Sequence, residues 1–388
     1  MPYRHLFDIP DDVAYFNAAY YSPLLNESRR CLLESAAAKS HPWDRTTASF
    51  FDDAETIRGL AAELFGGDAN GYAVIPAVSY GVSTAARAIE PRLRKGDRIL
   101  VVAEEFPSNV LPWRRAARET GADVITVPAP IDGNWTRATL PMIDARVKVI
   151  AMSPCHWTNG ARIDLAPIGA AARANGSVLV VDATQSLGAM PFSMAEIQPD
   201  FLIAAAYKWL LCPYGVALMY VSPAWRDARP LEESWLARDN AHDFTALAAY
   251  SDHYKPGARR FDGGEQATTN LPGAIAALEQ IRDWGVDTIA NSLSAINFTI
   301  GRELEQLGFR LAPESQRCPH MMGALLPEGA ARSIEASASS SLVAELRARQ
   351  IYISQRGQSL RFAPHMHTND HDVARLIEAL TSLVGSGR

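Results

Sequence analysis

Seven short runs of apolar residues, many of them β-branched, recur through the first 222 residues and constrain the fold more than any other feature. The runs occupy residues 71–77, 97–103, 122–128, 147–153, 177–183, 200–207 and 216–222. Each run is too short for an isolated helix, and it lacks the polar alternation of a strand with one solvent-exposed face. Short, continuously apolar runs are typical of strands buried on both faces. Helix-like stretches, such as residues 165–176 with their terminal Asn-Gly, lie between several of them. This alternation predicts an α/β domain around a largely parallel sheet.

The pattern changes after about residue 222, and 388 residues exceed what one ordinary core holds. Helical spacing of apolar residues returns at 271–285 and again at 372–385, and the serine-rich stretch 335–341 is expected to be a loop that leads into a helix. We therefore predict three parts, which are an N-terminal segment packed across both domains (1–30), a large domain (31–255) and a smaller α+β domain (256–388).

Charge and cysteine content narrow the classes of function. The net charge of −6, from 37 basic and 43 acidic residues, argues against a nucleic-acid partner or a polybasic membrane surface. We find no signal-peptide core at the start and no apolar run of membrane-spanning length. The four scattered cysteines predict reduced thiols and a cytoplasmic location. His367 and His371 are four residues apart, but a helix is expected to begin only after His367, so no metal site is predicted.

The stretch AAAYKWLLCPYG, residues 204–215, places Lys208 at the end of an apolar run. Burial disfavours the ammonium form of lysine, and the neutral amine is a nucleophile that condenses with an aldehyde. The alternative is a lysine that extends along the strand end to the surface.

Two further elements lie at strand ends. Asp182 ends the run 177–183, and a buried aspartate there needs a cationic partner such as a protonated ring nitrogen, unless it caps the following turn, which begins DATQ. In an open α/β sheet, ligands bind beyond the carboxyl ends of the strands, so Asp182 and Lys208 are expected at one site. At Ser79–Gly81 a strand turns into a helix, whose free N–H groups favour phosphate.

These motifs resemble, in order and over nearly the whole chain, the class V aminotransferases, which are pyridoxal 5'-phosphate enzymes of fold type I. Cysteine desulfurases, kynureninase and isopenicillin-N-epimerase-like proteins are relatives. The resemblance implies a mostly parallel seven-stranded sheet between helices, a smaller α+β C-terminal domain and a homodimer with its sites at the interface. It also implies Lys208 as the Schiff-base lysine and Asp182 as the partner of the cofactor's ring nitrogen.

The resemblance assigns further contacts residue by residue. Those to the cofactor are Ser79, Tyr80 and Gly81 in the phosphate turn, Phe106 stacked on the ring, Thr158 or Asn159 in a nearby loop, Gln185 at the phenolic oxygen, Tyr207 near the phosphate, and Thr268 and Thr269 in the partner subunit's site. Those to the carboxylate of an amino-acid substrate are Arg361, with Arg356 as a second possibility, and Asn17 nearby.

The chain departs from the desulfurases at two places. They carry a histidine where this chain has Phe106, and a reactive cysteine shortly before the substrate arginine, whereas ISQRGQSLRF (residues 353–362) contains none. The sequence therefore favours an aminotransferase over a desulfurase. A lyase or an epimerase on the same scaffold, and a relative that binds the cofactor without catalysis, are the alternatives.

Overall fold

The computed structural model describes residues 3–327 and 342–385, and all seven apolar runs form strands of a single sheet. The strands up to residue 221 are β1 Ala14–Tyr15, β2 Tyr72–Ile75, β3 Arg98–Val102, β4 Asp123–Val127, β5 Val147–Met152, β6 Val178–Asp182, β7 Phe201–Ala205 and β8 Ala217–Val221.

The large sheet has the strand order β2-β8-β7-β6-β5-β3-β4. Strands β3 to β7 pair in parallel, whereas β8 is antiparallel to both of its neighbours. The connection from β7 to β8 is too short to hold a crossover helix, so β8 has to return antiparallel. The predicted sheet, seven-stranded and mostly parallel, is confirmed.

Helices cover both faces of this sheet. In β3, Ile99 and Val101 pack into one hydrophobic cluster, and Leu100 and Val102 pack into another on the opposite face. This is why the strand has no polar alternation. The helices are α1 Asn26–Ala38, α2 Asp52–Phe65, α3 Val78–Ile89, α4 Leu111–Thr120, α5 Trp135–Thr139, α6 Leu165–Asn175, α7 Met194–Ile197, α8 Leu271–Trp284, α9 Val286–Gln306, α10 Leu342–Ala348 and α11 Asp370–Gly385.

A second, antiparallel sheet with the order β12-β13-β10-β9 forms the C-terminal part. Helix α9 packs against this sheet, and α11 packs against α9 and β1. The remaining strands are β9 Arg310–Leu311, β10 Met322–Leu325, β11 Ile351–Tyr352, β12 Ser354–Arg356 and β13 Ser359–Phe362.

The N-terminal segment contacts both parts of the chain. Strand β1 pairs in parallel with β11, whereas the carbonyl oxygen of Ala19 accepts a 3.0 Å hydrogen bond from Gln185 of the large domain. Helix α8, which the predicted boundaries assign to the small domain, packs against α1 and α2. The boundaries at 30/31 and 255/256 stay a prediction.

The predicted loop at 335–341 lies outside the described residues, and the helix expected after it is α10. In the part of the chain that the structure describes, we find no helix with the length and apolarity needed to cross a membrane. The same residues contain no group of three potential metal ligands, and the rings of His365 and His367 instead bond backbone carbonyls.

Candidate active site

The carboxyl ends of four neighbouring parallel strands meet at a cavity of about 220 Å³. Glu105 follows β3, Ser153 follows β5, Asp182 ends β6 and Lys208 follows β7, and all four residues line the cavity. The topology of the sheet therefore gathers groups that are far apart in the sequence.

Lys208 is buried with only 6% of its surface exposed, which rules out the alternative of a lysine that extends into water. Its Nζ lies 5.6 Å from the ring centroids of both Phe106 and Tyr207. Burial lowers the pKa of Lys208 to about 8, and the charge of Asp182 opposes this shift. An appreciable fraction of the amine is therefore neutral, and hence nucleophilic, near neutral pH.

Asp182 is also buried, and its Oδ1 accepts a 3.0 Å hydrogen bond from the backbone N–H of Thr184. Burial raises its pKa, while the hydrogen bonds from Thr184 and the charge of Lys208 counteract that rise. The bond to Thr184 shows that Asp182 caps the turn that follows it, as the alternative expected, and its role toward a ring nitrogen stays a prediction.

Glu105 is a second buried carboxyl in the cavity wall, and the sequence analysis missed it. Its oxygens accept hydrogen bonds from the N–H of Phe106 (2.7 Å) and the hydroxyl of Ser153 (2.8 Å). Burial, and then the charge of Asp182, raise the pKa of Glu105 to about 7. We call Asp182 and Glu105 the acidic floor. The sequence did contain a signal for Glu105, because this residue lies just beyond the end of a strand. The same reasoning identified Asp182.

Aromatic rings form the side of the cavity. Phe106 lines it with 37% of its surface open, and its ring is edge-on to Trp157 at 5.3 Å between centroids. Trp157 is held by a 2.7 Å hydrogen bond from its Nε1 to the carbonyl of Glu104. Phe106 therefore offers an open aromatic surface to a planar ring.

The N-terminus of α3 forms another edge of the cavity. Of the predicted phosphate turn, Ser79 lines the cavity, whereas Tyr80 hydrogen-bonds Glu232 and Gly81 packs on the sheet. A Cβ at Gly81 would lie 2.8 Å from Ile203, so glycine is needed there for close helix–sheet packing. An anion at this edge would meet Ser79 and the free N–H groups of the first helical turn.

Gln185 lines the cavity and is fixed by its neighbours. Its Nε2 donates to the carbonyl of Ala19, its Oε1 accepts a 2.9 Å hydrogen bond from Nε1 of Trp209, and its carbonyl bonds the buried ring of His320. One N–H of the amide has no described partner in these bonds, so Gln185 can still donate to a bound ligand.

Arg361 and Arg356 belong to the C-terminal sheet, and we call them the arginine wall. Arg361 is 1% exposed; its Nε donates to Ser354 and its Nη1 to the carbonyl of Trp157 at 2.6 Å, but its buried Nη2 has no partner. Burial, and then the charge of Arg356, lower the pKa of Arg361 to about 9. A buried guanidinium whose Nη2 has no partner can still donate to a carboxylate.

Tyr15 and Asn17 lie at the N-terminal side of this wall. The backbone of Asn17 is bridged to Ala363, just beyond β13, and its buried Oδ1 has no partner. Burial raises the pKa of Tyr15 to about 12, and the charge of Arg361 opposes this rise. The sequence analysis identified Asn17 but missed Tyr15.

Nine of the predicted contacts do not line the cavity. Five of them are described above, namely Tyr80, Gly81, Asn17, Arg356 and Arg361, and four remain. Thr158 bonds the ring of His156, and the Oδ1 of Asn159 accepts from its own loop. Thr268 and Thr269 line a separate cavity of about 840 Å³, where Arg45 contacts the hydroxyl of Thr268. Their roles in cofactor binding stay predictions.

All four cysteines of the chain lie in the described part, and none lines the cavity. Cys155, Cys212 and Cys318 are buried, and Cys31 lies on α1. Burial raises the pKa of both Cys155 and Cys212, which keeps these thiols protonated and poorly nucleophilic.

The residues of the cavity fit pyridoxal 5'-phosphate. Lys208 supplies a buried amine for the aldehyde of the cofactor. Asp182 supplies a buried carboxyl that forms no described ion pair and can face a cationic ring nitrogen. An open aromatic surface and a helix N-terminus are present for its ring and its phosphate.

Two curated relatives carry different names. YcbU, an uncharacterized aminotransferase of Bacillus subtilis, is 25% identical over 335 residues, which are 84% of this chain and 83% of that protein. A probable cysteine desulfurase of Pyrococcus abyssi is 26% identical over 238 residues, 61% of this chain and only 57% of that protein, so that match spans little more than half of the relative.

A solved structure and a family model agree with the predicted resemblance. The structure of a C-DES mutant, with glycine covalently linked to its PLP cofactor, has a TM-score of 0.87 at 19% identity over 98% of this chain and 99% of that chain. This likeness confirms the predicted fold. The family model described as Aminotransferase class-V matches residues 22–370. Because that match spans most of the protein, the chain belongs to the class-V aminotransferase family.

Proposed function

We propose that the chain is a pyridoxal-phosphate-dependent aminotransferase that acts at the α-carbon of an amino acid. The observation that carries this proposal is the pairing of a buried amine, Lys208, with a buried carboxyl, Asp182, in one cavity at adjacent strand ends. Membership of the class-V family supports the cofactor.

Bound pyridoxal phosphate supplies an aldehyde for imine chemistry and a ring that withdraws electrons from the α-carbon. Asp182 would keep the ring nitrogen protonated, because a buried carboxylate gains most from a cation beside it. Ser79 and the first turn of α3 would hold the phosphate, with Tyr207 near it. Phe106 would fix the tilt of the ring through its open face, and Gln185 would donate its remaining N–H to the phenolic oxygen.

Lys208 is the proton carrier in this proposal. An amine with a pKa of about 8 can accept the α-proton and return it at another carbon within its reach. Arg361 would grip the substrate carboxylate through its unpartnered Nη2, which orients the bond that breaks. One lysine that moves a proton from the α-carbon to a second carbon of the same site satisfies the needs of amino transfer.

The names of several relatives make cysteine desulfuration the chief competitor. Sulfur transfer through an enzyme thiol needs a cysteine beside the substrate, and no cysteine of this chain lines the cavity. A lyase that releases a substrate fragment without an enzyme thiol is the second candidate, because the structurally similar protein C-DES is a cystine C-S lyase. Product analysis separates the two: amino transfer yields a keto acid and an aminated acceptor, whereas elimination yields a released fragment.

The role of Lys208 is tested by substitution. Lys208→Ala is expected to lower turnover by about 10²- to 10⁴-fold, because it removes both the covalent anchor and the general base. Borohydride reduction of the unmodified protein should attach the cofactor to the peptide that contains Lys208, which mass spectrometry locates.

Lys255 offers a matched control. It is also buried, and burial also lowers its pKa to about 8, but it lies 3.9 Å from the ring of Phe51 and does not line the cavity. Lys255→Met should keep the yellow colour and the borohydride adduct. Full activity in Lys208→Ala would refute the proposal.

We also propose that the active form is a homodimer in which Thr268 and Thr269 contact the cofactor phosphate in the partner's site. Their position outside their own chain's cavity supports a role in trans. Mixing a Lys208→Ala protomer with a Thr268→Val/Thr269→Val protomer should restore one intact site per heterodimer. No recovery of activity in mixtures, or full activity in a strict monomer by light scattering, would contradict the homodimer.

A further inference from the structure

The two arginines of the arginine wall emerge on one face of the C-terminal sheet. In the register of β12 and β13, Ser354 pairs with Arg361 and Arg356 pairs with Ser359. Paired residues of antiparallel strands point to the same face, and residues two apart on a strand share that face. Arg356 and Arg361 are therefore diagonal neighbours, which the hydrogen bond from Arg361 to Ser354 supports.

Trp157 connects this face to the cavity. Arg361 donates to the carbonyl of Trp157, and the guanidinium carbon of Arg356 lies 5.8 Å from the centroid of the Trp157 ring, which lines the cavity. The loop of Trp157 can lie this close because β10 has Gly323 opposite Arg361. A Cβ there would come within 2.8 Å of Asn159.

Within the described residues, no carboxylate neutralises the charges of Arg356 and Arg361. Arg356 donates to the carbonyl of Gln355, and Arg361 donates to a hydroxyl and a carbonyl, so none of these contacts involves a carboxylate. The charge of Arg356 lowers the pKa of both Arg361 and Lys208, which places its field in the cavity. Two neighbouring cations without an acid partner fit a ligand with two anionic groups better than a ligand with one.

We propose that the substrate, either the amino donor or the keto-acid acceptor, carries a second carboxylate on its side chain, which Arg356 binds while Arg361 holds the α-carboxylate. This inference rests on the proposed function and adds the substrate class. A planar carboxylate suits Arg356 because the guanidinium fork can donate two parallel hydrogen bonds to its two oxygens, and because one guanidinium balances one negative charge. The half-buried position of Arg356 keeps it open to an incoming ligand.

The test measures binding of unreactive acids to the cofactor-loaded protein. Succinate, glutarate and butyrate are titrated by calorimetry, with the visible absorbance of the cofactor as a second readout. One of the two dicarboxylates should bind about 10-fold or more tightly than butyrate, which is the size expected for one hydrogen-bonded charge pair. Arg356→Gln should remove this preference and leave butyrate binding unchanged, whereas Arg361→Gln should weaken binding of all three acids.

Arg349→Gln is the matched control, because Arg349 is exposed in the same part of the chain, and it should keep the preference. Arg356→Lys, which retains the charge without the fork, should keep part of it. Equal binding of butyrate and both dicarboxylates to the unmodified protein would overturn the inference, as would a dicarboxylate preference that survives in Arg356→Gln. If Arg356→Gln does not fold, the unmodified protein and Arg356→Lys decide the result. Failure of the protein to hold the cofactor at Lys208 would instead contradict the proposed function.

Discussion

The acidic floor and the arginine wall both hold charges away from water, yet their hydrogen bonding differs. In the floor, backbone N–H groups and the Ser153 hydroxyl already occupy the carboxyls of Asp182 and Glu105. In the wall, Arg361 keeps a buried Nη2 without a partner, and Arg356 has no described acid beside it. A carboxyl that hydrogen bonds hold in place suits a resident cofactor, whereas a donor without a partner suits a ligand that arrives and leaves. In the proposed function, the cofactor therefore lies on the large sheet and the substrate lies against the C-terminal sheet.

The largest effect that would break this contrast is expected at Asp182. Asp182→Asn should lower kcat by about 10²- to 10³-fold, because it removes a preorganised charge aimed at the reacting ring. Cofactor binding should persist, since Lys208 remains. Steady-state rates and the visible spectrum are measured together, and an unchanged rate would show that the floor does not control the cofactor.

Substitution of Arg361 should change mainly KM, whereas substitution of Asp182 should change mainly kcat. Arg361→Gln is expected to lower kcat/KM by at least about 30-fold, mainly through KM, because loss of a buried charge partner costs about 2 kcal/mol or more. The cofactor spectrum in the absence of substrate should not change. A loss of cofactor in this variant would contradict the division between floor and wall.

The smallest expected effect is on stability and concerns Glu105. Its folded-state pKa of about 7 exceeds the ordinary value of 4.5, so its contribution to stability is complete below about pH 4.5 and is lost as the pH rises through 7. Glu105→Gln should therefore raise the melting temperature of the cofactor-free protein by a few degrees at pH 8 and hardly at all at pH 5.

A bound ring cation near the floor would favour the ionised form of Glu105. The increase in melting temperature that Glu105→Gln produces at pH 8 should therefore be smaller when pyridoxal phosphate is added. Calorimetric melting of both proteins with and without the cofactor measures this difference. A gain that is equal at pH 5 and pH 8 would show that the carboxyl does not titrate as its burial implies.

Much of the architecture followed from local pattern. The continuous apolar runs predicted all seven strands of the large sheet, because a strand covered on both faces leaves no polar alternation. The rule that ligands bind beyond strand ends correctly brought Asp182 and Lys208 to one cavity. The same rule, applied to β3, predicts Glu105 at the cavity, but the sequence motif at this strand end predicted only the neighbouring Phe106.

What the sequence determined alone is the order of strands and helices and the identity of the amine and the carboxyl at the strand ends, since burial and periodicity are encoded in neighbouring residues. Only the tertiary structure decided how distant segments meet. It brought Tyr15, Trp157 and His320 to the site, turned Tyr80 and Gly81 away from the cavity, and left Arg361 with an unsatisfied donor. These contacts depend on packing between the N-terminal segment, the large sheet and the C-terminal sheet, and no short stretch of sequence carries that information.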